Sequence, residues 1–414
     1  MGSDDTFQGR EQNTSLVCDL LVLGASFTGL ELVWRLRKSR PNLHVVVVDR
    51  QARHVYIPLV HECLADRLAD GDSWLDTRSE LEARGAQFIH GEIVAFQPKV
   101  GEVRLADGRR IRGAAVVVAL GSQLCPPQFP GREQLQAVKF GGQFEQARSA
   151  LRARLCSSRE ASVAPQILVV GGGITGVELA GELASLGNHG TESLNAPVLT
   201  LVHSGDRLLP DQGRRAGRIA QDRLRALGVD IRLRTRLVRC DAQSATLLEA
   251  GRIESGEGRG ELLLRFDLAF WAGGVRPGPI VAKLGLARTQ DGWIKVSPEL
   301  ECDTGSVSGV RVFAAGDIAR ICEVRGEWPT MKRAIECLWQ AKTLAKTLAR
   351  LLGPNAPAHS QAKLVRHRLR RDFFHGISLG PSSLLVWGPF VVDLRSLGVG
   401  FRRWLMKLYM RRYS

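Results

Sequence analysis

The chain reads as an α/β protein of two Rossmann-like dinucleotide-binding domains, the second inserted in the first, plus a C-terminal membrane-associating segment. Three observations lead there. Two glycine-rich turns, Gly24-Ala25-Ser26-Phe27-Thr28-Gly29 and Gly171-Gly172-Gly173-Ile174-Thr175-Gly176, lie 147 residues apart. Each ends an apolar run and opens an amphipathic one. A third apolar run, residues 310–315, closes on Gly316-Asp317 after the second unit. The last 54 residues hold eleven Lys and Arg against two Asp, which is +9 of a total formal charge of +15.

Taken in order, residues 1–15 are polar, carry no apolar stretch and read as a disordered lead-in. No secretory signal is visible, so the cytosolic side is the expected location. Residues 18–23 form a strand. Gly24 then allows the tight bend, and Gly29 lets helix and strand pack closely. The helix start offers free N–H groups and its dipole to a pyrophosphate, with Ala25 and Ser26 lining the turn. Ser26 occupies the middle glycine position, which a pyrophosphate seated slightly higher accommodates. Twenty residues past Gly29, the run 44–48 ends at Asp49, followed by Arg50. An acid there is placed to accept hydrogen bonds from a ribose diol. Residues 84–89 lead into alternating strands and the apolar run 115–118, which closes on Ala119, Leu120 and Gly121.

The second unit repeats this order. Residues 167–170 enter the turn, Thr175 lies in the first helical turn, and the run 197–202 ends at His203-Ser204 instead of an acid. A carboxylate would repel a ribose 2′-phosphate, whereas His203, Ser204 and nearby Arg207 would not, so NADH or NADPH can serve. Gly228 opens a meander that ends in residues 268–271 and turns at Ala272-Gly273. Gly85 and Gly228 are 143 residues apart, close to the offset of the turns, as an internal duplication requires. The expected organisation is therefore 1–15 lead-in, 16–150 and 286–350 the discontinuous first domain, 151–285 the second, and 351–414 a basic docking region.

At 414 residues and 44 % hydrophobic the chain can bury two or three cores. No two of its eight cysteines lie within four residues of each other. Neither a Cys-x-x-Cys redox pair nor a zinc spacing exists, so no metal site is expected and the thiols read as structural. Asp317, at a strand end facing a helix start, suits a hydrogen bond to the ribityl chain or pyrophosphate of a flavin.

Residues 23–32, 119–122, 170–182, 270–277 and 314–319 together resemble the two-dinucleotide flavoprotein reductases. The resemblance is strongest to the type II NADH:quinone oxidoreductases and their apoptosis-inducing-factor-like and ferroptosis-suppressor-like relatives. It implies one FAD and one NADH or NADPH, hydride transfer from nicotinamide to flavin, then two electrons to a membrane quinone without proton pumping. The first set of residues would hold FAD, and residues 54–60, including Pro58, resemble the segment lying against the flavin ring. Glu178 is the carboxylate expected near the flavin–nicotinamide contact, a helix-start acid serving the dipole being the other reading. The chain departs from the family where Ile335 replaces the Gln of an Ala-Gln pair near the quinone end of the flavin. A soluble reductase of a small redox protein and a flavin-bearing signalling protein of the apoptosis-inducing-factor type stay open.

In the tail, Phe401, Trp404, Leu405 and Leu408 recur at helical spacing among Arg402, Arg403, Lys407, Arg411 and Arg412. That pattern suits a helix lying in an anionic membrane interface, which implies peripheral attachment at a cytoplasmic membrane face. The apolar run 384–392 contains Gly388 and Pro389 and is too short to span a bilayer. A helix packed on the chain's own surface or on a second subunit is the alternative reading. Nucleic acid is not an expected partner, because the cations surround an amphipathic helix and no recognition motif accompanies them. Removing residues 381–414 is expected to leave the dinucleotide domains intact.

Overall fold

The computed structural model describes residues 15–69, 71–139, 141–186, 196–250, 261–305, 309–323, 326–352, 363–370 and 372–413. The expected lead-in lies, except for Ser15, outside them. The chain divides into two compact units. One comprises Met1–Ala52, Thr77–Gly121 and Pro277–Arg368; the other comprises Arg53–Asp76, Ser122–Arg276 and Leu369–Ser414.

The first unit is built on a sheet whose central strand, Leu16–Leu23, runs parallel to Val45–Asp49 on one side and Arg110–Val118 on the other. Val45–Asp49 pairs in parallel with Gln87–His90, and Arg110–Val118 with the late strand Arg311–Ala314. Leu20 to Leu23, Val45 to Val48 and Ala115 to Val118 are buried on both faces, as covered parallel strands require. The helices Phe27–Ser39 and Ala334–Leu351 pack side by side, and at their far ends Arg40 Nε donates to the Ala349 carbonyl at 2.9 Å. Ile93–Gln97 and Glu102–Leu105 complete the meander.

The second unit carries a five-stranded parallel sheet in the order Leu135–Ala137, Leu268–Trp271, Gln166–Val170, Val198–Val202, Asp230–Arg232. The antiparallel meander Thr235–Cys240, Ser244–Glu249, Glu261–Arg265 accompanies it. One core of this unit runs from Leu59, Val60 and Leu64 through Leu179 and Leu183 to Ile377, Leu384 and Met406, and a second gathers Leu168, Val170, Leu237, Leu247 and Phe266.

These units depart from the domain limits drawn from sequence in three places, each with a packing reason. Leu135–Ala137 supplies an edge strand to the second sheet, so that unit begins near residue 122 and not at 151. Residues 53–76, a short hairpin and the helix Val60–Leu64, bury their apolar side in the same core. The tail is the third departure. His375–Leu379, Ser382–Trp387 and Phe390–Asp393 form an antiparallel sheet, and the helix Arg395–Met410 seats Met406 and Tyr409 inward. Tyr413 is 1 % exposed. The tail is thus part of the second unit, and the expectation that residues 381–414 can be removed harmlessly is corrected.

The outward face of this helix is Leu397, Phe401, Trp404 and Leu408, all exposed, with Leu405 only half-buried at its margin. Tyr413→Ala should therefore cost roughly 3 kcal/mol in equilibrium denaturation, whereas Leu408→Ala should cost less than about 0.5 kcal/mol. Equal costs, or the reverse order, would show that the helix is not seated this way round.

Candidate dinucleotide sites

In the first unit, the parallel register aligns Leu23, Val48, Val118 and Ala314, so Gly24, Asp49, Ala119 and Gly316 share the carboxyl edge of one sheet. Ligands bind at this edge in doubly wound sheets. The Gly24 N–H donates to the Val48 carbonyl at 2.8 Å. Gly24 has φ +111°, and a Cβ there would strike the Ala119 carbonyl oxygen. Asp49 Oδ2 accepts the Ala25 N–H at 2.6 Å and Oδ1 the Gln51 N–H at 2.8 Å. Ser26 is extended and precedes the helix, while Gly121 leaves open space where a side chain would stand. The edge therefore fits an elongated anionic dinucleotide. Gly29 packs on Gly24, and Arg50 is exposed.

Behind Gly316-Asp317 lies a network that sequence reasoning missed. Gln340 Oε1 accepts the Gly316 N–H at 2.7 Å, and Gln340 Nε2 donates to Glu336 Oε1 at 2.9 Å. Glu336 in turn meets His367 Nε2 at 2.8 Å. The Gln that braces the turn is thus a buried one, a turn and a half beyond Ile335. The repeat Glu336, Gln340 at i, i+4 on an otherwise apolar helix face was the available signal. Of the residues expected to hold FAD, Pro58 alone belongs to the second unit, in the turn Ile57–Leu59.

The second unit repeats the edge geometry. Gly171 N–H donates to the Val202 carbonyl at 2.9 Å and Ala272 N–H to Val170 at 2.8 Å. Gly171 has φ +124°, and a Cβ there would strike the Ala272 carbonyl. Gly176 packs on Gly171, and Gly173, which precedes the helix Ile174–Ala184, faces open space. Thr175, Ser204 and Gly273 are exposed around this edge. The His203 ring accepts the Gly172 N–H through Nδ1 at 3.2 Å. Arg207, read as a nearby cation that would not repel a 2′-phosphate, donates to the Leu209 and Gln212 carbonyls at 3.2 and 2.8 Å.

Glu178 lies one turn into the same helix, within a buried cluster assembled from four parts of the second unit. Its Oε1 accepts the Ser378 N–H at 3.1 Å, and Oε2 lies 3.5 Å from His61 Nδ1. Glu182 accepts from Arg67 and from the Ser378 hydroxyl, both at 2.6 Å. Glu62 meets Arg402 at 3.0 Å and Arg403 at 2.7 Å. Arg402 Nη1 also approaches His61 Nε2 at 3.3 Å, and Tyr409 Oη lies 2.9 Å from His54 Nε2. Arg402 was expected to face lipid phosphates; instead it is buried, because the Glu62 carboxylate needs a cation inside. Arg403 turns inward with it.

Burial moves the two central groups in opposite directions. It raises Glu178 from 4.5 to about 8, against the opposing pull of Arg402 and the Ser378 N–H. It pushes His61 well below its ordinary value, assisted by the Arg402 and Arg67 charges. At neutral pH the pair is therefore a neutral carboxyl beside a neutral imidazole, with a proton held at Glu178. His61, Glu62 and Glu182 place ligand atoms within 4.8 Å of one another. Their carboxylates are already matched by Arg402, Arg403 and Arg67, so the cluster is suited to holding protons and not a divalent cation.

The chain is 26 % identical over 385 residues to a type II NADH:quinone oxidoreductase of Haemophilus influenzae, covering 83 % of this chain and 82 % of that protein. It is 24 % identical to the demethylphylloquinone reductase NdbB of a Synechocystis species, over 74 % of this chain and 73 % of that one. Its fold matches that of NDH2 from Plasmodium falciparum, solved in complex with NADH, with a TM-score of 0.78 at 12 % identity, across 95 % and 98 % of the two chains. The model of the pyridine nucleotide-disulphide oxidoreductases matches residues 18–341, and with both dinucleotide edges in place the chain belongs to that family.

Proposed function

We propose that the protein is an FAD-dependent NAD(P)H:quinone oxidoreductase held peripherally on the cytoplasmic face of a membrane. The observation that carries this reading is the pair of equivalent sheet edges, one in each unit, each with its glycine turn and helix start. The names of the relatives supply the acceptor class. Gly24, Ala25, Ser26, Gly29, Asp49, Ala119, Gly121, Gly316 and Asp317 would hold FAD, with Arg50 beside it. Gly171 to Gly173, Thr175, Gly176, His203, Ser204, Ala272 and Gly273 would hold the nicotinamide dinucleotide. When bound, the flavin supplies hydride acceptance and two-electron delivery.

The chain's own contribution is position and protons. Helix starts meet pyrophosphates, Asp49 meets a ribose, and the Gln340 network keeps the Gly316-Asp317 turn in place. Quinone reduction consumes two protons, and Glu178 holds one at neutral pH beside His61. Docking would use the outward stripe Leu397, Phe401, Trp404 and Leu408, joined by exposed Trp387, Phe390 and Val392. Among the described residues no helix is long and apolar enough to cross a membrane. A soluble small-protein reductase would have no use for that apolar stripe.

Steady-state oxidation of NADH or NADPH by a short-chain quinone tests the activity; a yellow, folded protein that reduces no quinone would favour the signalling reading. Replacing Leu397, Phe401, Trp404 and Leu408 together by Gln should abolish pelleting with anionic vesicles and spare short-chain quinone reduction. Unchanged pelleting overturns the docking face, and conversion of a dimer to a monomer would assign the stripe to a second copy.

Glu178→Gln should slow quinone reduction while nicotinamide still bleaches the flavin, which stopped-flow separates. The same variant has a stability signature. The folded state retains a proton that the unfolded chain releases near 4.5, so stability from this group is full below that value and lost as pH rises towards about 8. Melting temperature should therefore fall less across that window in Glu178→Gln than in the wild type; parallel curves would place the proton elsewhere.

A further inference from the structure

Arginine is a donor only. Its guanidinium carries N–H groups and no acceptor, and it keeps its charge at any pH a folded protein meets. An imidazole nitrogen that meets a guanidinium must therefore accept from it. Arg402 Nη1 lies 3.3 Å from His61 Nε2 in the interior of the second unit. Burial, with the charges of Arg402 and Arg67, holds the proton affinity of His61 well below its ordinary value, so the ring is neutral. Its one proton is then on the opposite nitrogen, Nδ1. That nitrogen faces Glu178 Oε2 across 3.5 Å.

The consequence falls on Glu178. Its Oε1 already accepts the Ser378 N–H at 3.1 Å, and in this tautomer Oε2 meets a second donor. A proton carried by the carboxyl finds no acceptor in the cluster among the described residues. The other tautomer would present a bare Nδ1, a good acceptor, and the Glu178 O–H would be bound to it. The side chain of Glu178 is 12 % exposed and that of His61 3 %, so Glu178 is the member of the pair from which a proton can leave.

The guanidinium is fixed where it acts. Arg402 Nη2 lies 3.0 Å from Glu62 Oε1, and the stem passes Gly376, where a Cβ would come within 3.2 Å of Arg402 Cδ. The other carboxylates near Glu178 have cations of their own: Glu62 also meets Arg403 at 2.7 Å, and Glu182 meets Arg67 at 2.6 Å. We propose that Arg402 is a positioning residue for proton delivery, fixing the His61 tautomer and so keeping the Glu178 proton free for a quinone oxygen at the open side of that carboxyl. This rests on the reading of Glu178 as the proton donor in quinone reduction. In the step the Glu178 O–H bond breaks and an O–H bond forms on the quinone, whose two electrons come from the nicotinamide. Glu178 is left as a carboxylate, which the His61 Nδ1–H and the Ser378 N–H both stabilise.

The test is nitrogen NMR of the full-length, flavin-loaded protein with labelled histidine, in which ring couplings distinguish the two tautomers. His61 is picked out of the nine histidines by the signal lost in His61→Gln. Wild type should carry the proton on Nδ1, and Arg402→Lys, whose ammonium also only donates, should retain it. Arg402→Met combined with Glu62→Gln removes the guanidinium together with the carboxylate it meets, so no buried charge is stranded between them. That variant should move the proton to Nε2 and slow short-chain quinone reduction about tenfold or more, within the range a placed proton donor supplies, while nicotinamide still bleaches the flavin. A proton on Nε2 in the wild type overturns the inference, and this measurement decides even where the double variant does not fold. An unchanged tautomer in a folded double variant overturns it as well. A changed tautomer with unchanged quinone reduction, where Glu178→Gln does slow it, overturns the inference and leaves the reading of Glu178 standing. Quinone reduction indifferent to Glu178→Gln removes that reading, and the inference with it.

Discussion

One backbone hydrogen bond, made twice, sets the geometry on which the rest depends. The first glycine of each turn donates its N–H across to the end of the neighbouring strand, Gly24 to Val48 and Gly171 to Val202. That bond holds the turn tight against the sheet edge and starts the next helix there with its first N–H groups unpaired within the helix. The requirement for glycine follows from it. Two strand ends must approach so closely that a Cβ would strike the carbonyl of Ala119 in one unit and of Ala272 in the other. The combination would suit a pyrophosphate, since free N–H groups and a helix dipole face the same open edge.

The C-terminal helix obeys a second constraint, and it carries apolar residues on both faces, Met406 and Tyr409 facing inward beside Arg402. Its inward face carries Arg402 against Glu62 and His61, and its outward face carries Leu397, Phe401, Trp404 and Leu408. A buried carboxylate without cations would cost several kcal/mol, and Glu62 draws both Arg402 and Arg403 of this helix inward. With the cation committed to the interior, helical spacing leaves the apolar residues facing out. The arrangement makes sense when that face meets something apolar, and it ties the proton held at Glu178 to the same helix that would meet it.

The contrast between these features explains what was legible in the sequence. The glycine turns, Asp49, His203 and the strands around them were readable because every cause lies within a few residues of its effect. The tail's amphipathic spacing was readable too, yet which face points inward was not. Spacing reports that two faces differ, and the inward choice was made by Glu62, more than 300 residues earlier. The cluster of His61, Glu62, Glu178, Glu182, Ser378 and Arg402 was invisible for the same reason, since none of its pairs is local. Likewise the edge strand Leu135–Ala137 is too short to stand out, and only its pairing with Leu268–Trp271 shows that it belongs to the second sheet.

A duplicated fold still has to give two different ligand behaviours, and the returning strands account for part of that. In the first unit Arg311–Ala314 adds to the sheet beside Arg110–Val118 and delivers the Gly316-Asp317 turn onto the ligand edge, braced from behind by Gln340, Glu336 and His367. The corresponding neighbour of Leu268–Trp271 in the second unit is Leu135–Ala137, which comes from the chain before that unit's turn and runs on towards the helix Gly141–Glu160. It brings no glycine–acid turn to the edge. Both sheets present five parallel strands at this edge, and they differ in what the fifth brings: a glycine–acid turn in the first unit and none in the second. That extra turn favours the assignment proposed above, with the retained cofactor at the first edge and the substrate that leaves after each turnover at the second.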